Sequence, residues 1–151
     1  MNNLQQAGVH TVLYDAVHGE PTLDVVQTAV DLARQEQVEV VIGIGGGSAM
    51  DVAKATALLC AQPGTVQEYH RGRAVTRLGL PCVTIPTTAG TGTEVTNNAV
   101  LTDLERGVKE SLRSSYLFPA VALVDPELTV SMPPAITASS GADALCQAIE
   151  S

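Results

Sequence analysis

Three consecutive glycines and a serine, Gly45-Gly46-Gly47-Ser48, follow an aliphatic run, Val40-Val41-Ile42-Gly43-Ile44, and precede a helical pattern. Glycines let the backbone turn tightly and approach a ligand closely. A helix starting there aims its free N–H groups and the positive end of its dipole at that ligand, and Ser48 adds a hydroxyl. In chemical terms this is a pyrophosphate cradle. It is not a P-loop, because no lysine follows the glycines, and Ser48 stands where G-x-G-x-x-G would need glycine. A strand-to-helix turn with glycines for geometry alone is the alternative.

Two further segments point to a dinucleotide. Asp15 lies just past an expected strand, Val9 to Tyr14, where a carboxylate can accept both ribose hydroxyls of an adenosine and repel a 2′-phosphate. That favours NAD over NADP. Pro86-Thr87-Thr88-Ala89-Gly90-Thr91-Gly92-Thr93-Glu94 again follows an aliphatic run and offers hydroxyls and pliant backbone. Threonines often only cap helices. Two such loops at the ends of adjacent strands are better explained by one extended ligand lying across both.

The elements that must position these loops alternate short strands with amphipathic helices, an α/β pattern. Leu4 to Ala7 reads as a helix tail closed by Gly8. After Gly19 to Thr22 a helix places Val25, Val26, Ala29, Val30 and Ala33 on one face. A strand over Val38 to Ile44 leads through the glycines into a helix from about Ala49 to Ala61. Pro63 to Arg77 reads as a connector, and Leu80 to Ile85 as a strand. Ala99 to Thr102 and Val108 to Ser111 could pair across Asp103 to Gly107. Ala120 to Val124 is a last strand, and Pro133-Pro134 opens an Ala-rich helix. A domain boundary is placed near residue 130.

Composition narrows the function. Of 151 residues 45% are hydrophobic and only 3% aromatic, so the core is aliphatic, as suits a buried parallel sheet. The net charge of -8, with eight scattered basic residues, argues against a nucleic-acid or anionic membrane surface. No stretch reaches the length of a membrane span. Cys60, Cys82 and Cys146 have no zinc or redox spacing and read as reduced thiols of a cytoplasmic protein.

As a set, these segments resemble the iron-containing (group III) alcohol dehydrogenase family. The resemblance is carried by Tyr14-Asp15 with Pro21-Thr22, Gly45-Gly46-Gly47-Ser48-x-x-Asp51-x-x-Lys54, and Pro86 to Gly92 with Glu94-Val95-Thr96. Lys109, Asp125-Pro126-Glu127-Leu128 and Gly141-x-Asp143-Ala144-Leu145 complete it. It implies a Rossmann-like nucleotide-binding domain with a parallel sheet, followed by an all-helical domain, with the active site in the cleft between them. It implies NAD-linked oxidation of a small alcohol or reduction of an aldehyde, with a divalent metal, Fe or Zn, polarising the substrate oxygen.

The same resemblance assigns roles. Gly46, Gly47 and Ser48 would hold the pyrophosphate and Asp15 the adenosine ribose. Thr87, Thr88 and Thr91 would contact the phosphates and the nicotinamide side. Lys109 and Asn98 would serve the catalytic end, Lys109 beside the nicotinamide and Asn98 close to the substrate. Asp143 matches the first metal ligand. Gln147 stands one helical turn on, where the family usually has histidine, and amide oxygen is a weaker donor than imidazole. A weaker fourth ligand, a three-ligand site and loss of metal dependence all stay open.

The expected organisation is a nucleotide-binding domain over residues 1–130 without its first strand, then the start of a helical metal-binding domain over 131–151. Ser151 falls inside a helical pattern with no stop signal. Such a chain is expected to be inactive alone, and homo-oligomerisation is left open. Two other readings remain: a glycerol-dehydrogenase-like enzyme, and a non-catalytic sugar-phosphate- or nucleotide-binding module.

Overall fold

The computed structural model describes residues 2–150. Helix α1 (Asn2–Gln6) ends at Gly8, whose φ of 78° turns the chain. Helix α2 (Leu23–Gln35) starts at Thr22, whose side chain accepts from the Val25 N–H. It buries Leu23, Val26, Ala29, Val30 and Ala33, while Val25 is only partly covered. The face read from the sequence is therefore close to the buried one.

Strand β1 (Val41–Gly45) leads into helix α3 (Gly47–Leu59). Helix α4 (Val66–His70) precedes β2 (Cys82–Pro86). Next come β3 (Asn98–Asp103) and β4 (Val108–Arg113), then β5 (Val121–Ala122) and helix α5 (Pro134–Glu150). The strands β1, β2 and β5 form a parallel sheet in that order, with Val41 opposite Cys82 and Val83 opposite Val121. The pair β3 and β4 forms the expected antiparallel hairpin, with Asn98 opposite Arg113. Most of the core lies where α2, α3 and the hairpin meet: Val26, Val30, Val52, Ala55, Leu58, Leu101 and Leu112 are all buried together.

Helix α3 is buried along nearly its whole length, from Met50 to Leu59. Such a helix must approach β1 closely, and Gly43 permits it. A Cβ on Gly43 would stand 2.6 Å from the Ala53 Cβ and 3.3 Å from the Met50 Cα. Gly43→Ala therefore overpacks this contact and destabilises the protein by about 1–3 kcal/mol. Chemical denaturation measures it, and an unchanged midpoint would contradict the packing argument.

Several expectations are corrected. Val9 to Tyr14 forms no strand: residues 9–18 are irregular, and no described strand pairs with them. Aliphatic alternation supplies propensity, but a strand also needs a partner ladder. Tyr14 instead anchors the segment by donating its hydroxyl to the Val25 carbonyl at 2.8 Å. Strand β1 begins at Val41 rather than Val38, after Gln37 takes a φ of 52°. Helix α3 begins two residues earlier than expected, at Gly47, with Gly46 as its N-cap. The expected connector over 63–77 contains α4, and β5 is reduced to two residues. Ser151 lies outside the described residues. Among the described residues no helix is long and apolar enough to cross a membrane, and Cys60, Cys82 and Cys146 are free thiols.

Candidate functional site

The sheet ends its strands β1 and β2 beside the N-terminus of α3, and two cavities flank that point. At Gly45 the φ of 147° is a conformation that only glycine adopts comfortably. Gly46 then caps α3 with no side-chain hydrogen bond, so the first N–H groups of the helix have no capping side chain. The Thr87 N–H donates to the Gly45 carbonyl at 2.9 Å, which binds the threonine loop to the glycine loop. A Cβ built on Gly46 would lie 3.5 Å from both Oγ1 and Cγ2 of Thr88. The two loops thus face each other at contact distance.

The larger cavity, about 460 Å³, opens in front of that junction. Gly47 and Ser48 form one wall, and Thr88, Gly90, Thr91, Thr93 and Thr96 another. Asn98 and Lys109 approach from the hairpin, and Asp143 and Gln147 from α5. Eight expected site residues therefore meet in one place. Lys109 donates to Glu20 at 2.5 Å, and Glu20 lines the same cavity. An ammonium has three donors, so this ion pair holds the side chain while others remain for a ligand.

The second cavity, about 430 Å³, lies between the segment 12–17 and the other side of β1 and α3. It is mostly aliphatic, with Val12, Leu13, Val38, Val40 and Ile42 among its walls, and Asp15 provides a carboxylate. Asp15 is thus separate from the residues of the first cavity, and α3 begins between the two. Gly46 and Thr87 lie at the loop junction and line neither.

The metal donors are limited. Asp143 and Gln147 stand one turn apart on α5 and both face the larger cavity. Among the described residues no three His, Cys, Asp or Glu side chains cluster to hold a metal. Two oxygen donors are about half of what a tetrahedral divalent site takes. The residues present do not by themselves fit a metal ion.

Residues 1–126 match the family model described as iron-containing alcohol dehydrogenase. The chain belongs to that family. It is 46% identical over 150 residues to long-chain-alcohol dehydrogenase 1 of Geobacillus thermodenitrificans, covering 97% of this chain and 38% of that protein. Sulfoacetaldehyde reductase of Bilophila wadsworthia is 40% identical over 148 residues, again covering 38% of its length. Among solved structures, sulfoacetaldehyde reductase from Bifidobacterium kashiwanohense in complex with NAD+ superposes with a TM-score of 0.92. It is 43% identical, over 99% of this chain and 40% of that one. NADH-dependent butanol dehydrogenase A from Thermotoga maritima superposes with a TM-score of 0.91 at 33% identity, over 99% and 37%. The fold is the Rossmann-like N-terminal part of such family structures, and the chain spans about two fifths of their length.

Sequence reasoning missed Glu20 and Ser140 as cavity residues and gave Asp51, Thr93 and Thr96 no site role of their own. Asp51 and Lys54 carried a signal, since an acid and a base three apart on a buried helix need a reason to be there. Glu20 carried none, because its partner Lys109 is distant in sequence.

Proposed function

We propose that this chain supplies the NAD site of an alcohol dehydrogenase or aldehyde reductase. The observation that carries the reading is the pair of cavities flanking the start of α3, an aliphatic one with a carboxylate and a polar one lined with hydroxyls. A dinucleotide has this same division: an adenosine end, a central pyrophosphate and a polar nicotinamide end.

In this reading Asp15 accepts the adenosine ribose hydroxyls, and the pyrophosphate lies on the N–H groups at Gly46, Gly47 and Ser48. Thr87, Thr88 and Thr91 close over the phosphates and the nicotinamide side. No lysine or arginine but Lys109 lines the polar cavity, so backbone dipoles neutralise the phosphates. Lys109, steadied by Glu20, donates beside the nicotinamide, and Asn98 contacts the substrate. Bound there, the nicotinamide would supply the hydride chemistry of a small alcohol or aldehyde, with the accompanying proton exchanged with solvent, while these residues hold the two reactants. Asp143 and Gln147 bring two oxygens to the substrate end, and we assign no step to a metal through so incomplete a set. The domain division follows: residues 1–130 bind the nucleotide, and 131–151 begin the helical part.

Related proteins support this. One is in complex with NAD+ and another is NADH-dependent. Titration of the chain with NADH, followed by nicotinamide fluorescence, should saturate, and a sugar phosphate should not displace the cofactor. No NADH signal, with saturable binding of the sugar phosphate by calorimetry, would instead favour a sugar-phosphate-binding module.

A further inference from the structure

Lys54 has no part in the dinucleotide reading, yet it is 1% exposed in the middle of α3. Its Nζ sits among six oxygens. It donates to the Thr93 carbonyl at 2.9 Å, Thr93 Oγ1 at 3.2 Å and Thr96 Oγ1 at 3.1 Å. The Thr96 and Asn98 carbonyls lie at 3.5 and 2.5 Å, and Asp51 Oδ1 lies at 3.2 Å. Three protons cannot serve six acceptors singly, so the charge is shared among them as a bare cation's would be in an oxygen cage.

Five of those oxygens belong to one segment, residues 93–98. Asp51 reinforces the link, accepting from Thr93 Oγ1 at 2.7 Å and from the Val100 N–H at 3.0 Å. Helix α3 carries the glycine-loop wall of the polar cavity, and residues 93–98 carry Thr93, Thr96 and Asn98 on the facing wall. Burial lowers the Lys54 pKa, and the neighbouring Asp51 carboxylate opposes the shift. A buried ion pair is weak evidence for stability, since apolar residues of the same volume often serve the fold as well. The pair therefore calls for another explanation.

We infer that Lys54 is a positioning residue, a built-in cation that pins segment 93–98 to α3 and so fixes the two facing walls of the polar cavity. It sets Asn98 and the threonine loop at the distance from the glycine loop that the nicotinamide end of the dinucleotide requires. The functional part of this inference rests on the NAD reading, whereas the pinning does not.

The test uses the full chain carrying Lys54→Ala, in which the cage oxygens remain and the missing atoms correspond to propylammonium. Without cofactor, amide hydrogen exchange at residues 93–100 should quicken about tenfold or more, the loss expected for charge-assisted hydrogen bonds. NADH affinity should fall by a similar factor, and propylammonium should restore both, whereas neutral propanol should restore neither. Lys54→Met keeps the stem without the charge and should reproduce both losses, which covers the case in which the alanine variant does not fold. Wild-type exchange and affinity in folded Lys54→Met would overturn the inference, as would equal rescue by propanol. If the unmodified chain binds no NADH, the cofactor reading fails by itself, and the exchange measurement still decides the pinning.

Discussion

Gly46→Val is expected to lower NADH affinity by about two orders of magnitude or more while the fold is retained. Gly46 has a φ of -76° and a ψ of -178°, which any residue adopts, so the backbone accepts a side chain. Its Cβ would meet Thr88 at 3.5 Å, an ordinary contact. The branched methyls of valine, however, must enter the space between the glycine and threonine loops, where the pyrophosphate is proposed to lie. Two charge-assisted hydrogen bonds lost at about 1.5–3 kcal/mol each lower affinity by roughly two orders of magnitude or more. A thermal melt shows retention of the fold, and a fluorescence titration with NADH shows the loss. Unchanged affinity in a folded variant would reduce the glycine loop to a strand-to-helix turn. The contrast with Gly43→Ala is informative: that substitution strikes packing, and this one strikes a ligand.

Asp15→Gly narrows the gap between NAD and NADP. The carboxylate favours two ribose hydroxyls and opposes a 2′-phosphate, and a like-charge contact costs several kcal/mol. Removing it weakens NAD and relieves NADP, so the ratio of dissociation constants changes by about a hundredfold. Parallel titrations of wild type and variant with both cofactors measure it. If NADP already binds the wild type as tightly as NAD, Asp15 does not hold the ribose. Asp15 lines the aliphatic cavity and not the polar one, so its substitution leaves the polar cavity untouched.

What could be read from the sequence was local chemistry with its own punctuation. Gly45 to Ser48 announces a turn and a helix start because glycine has few other uses after an aliphatic strand. The hairpin of β3 and β4 announces itself by two short apolar runs around a turn. The helix α4 had a signal too, since Thr65 and Glu68 form a capping box, but only five residues follow the cap and no apolar period shows. Val9 to Tyr14 misled for the opposite reason. Its composition suits a strand, and whether a ladder forms depends on a neighbour, which local composition does not encode. Of the cage around Lys54 only Asp51 was legible, because the other oxygens come from a segment some forty residues away.

The site was legible as a list and not as an arrangement. Spacing could place Asp143 and Gln147 on one helical face, but only the packed structure brings α5 to the same cavity as Gly47, Ser48 and Lys109. It also separates Asp15 from them, which no spacing rule implied.

On the proposed reading, one dinucleotide straddles the start of α3. Backbone amide NMR of the chain during titration with NADH tests it most directly. Asp15, Gly46 to Ser48, and Thr88 to Thr91 are expected to shift together with a single dissociation constant. Shifts confined to one of the two cavities, or none at saturating NADH, would contradict it.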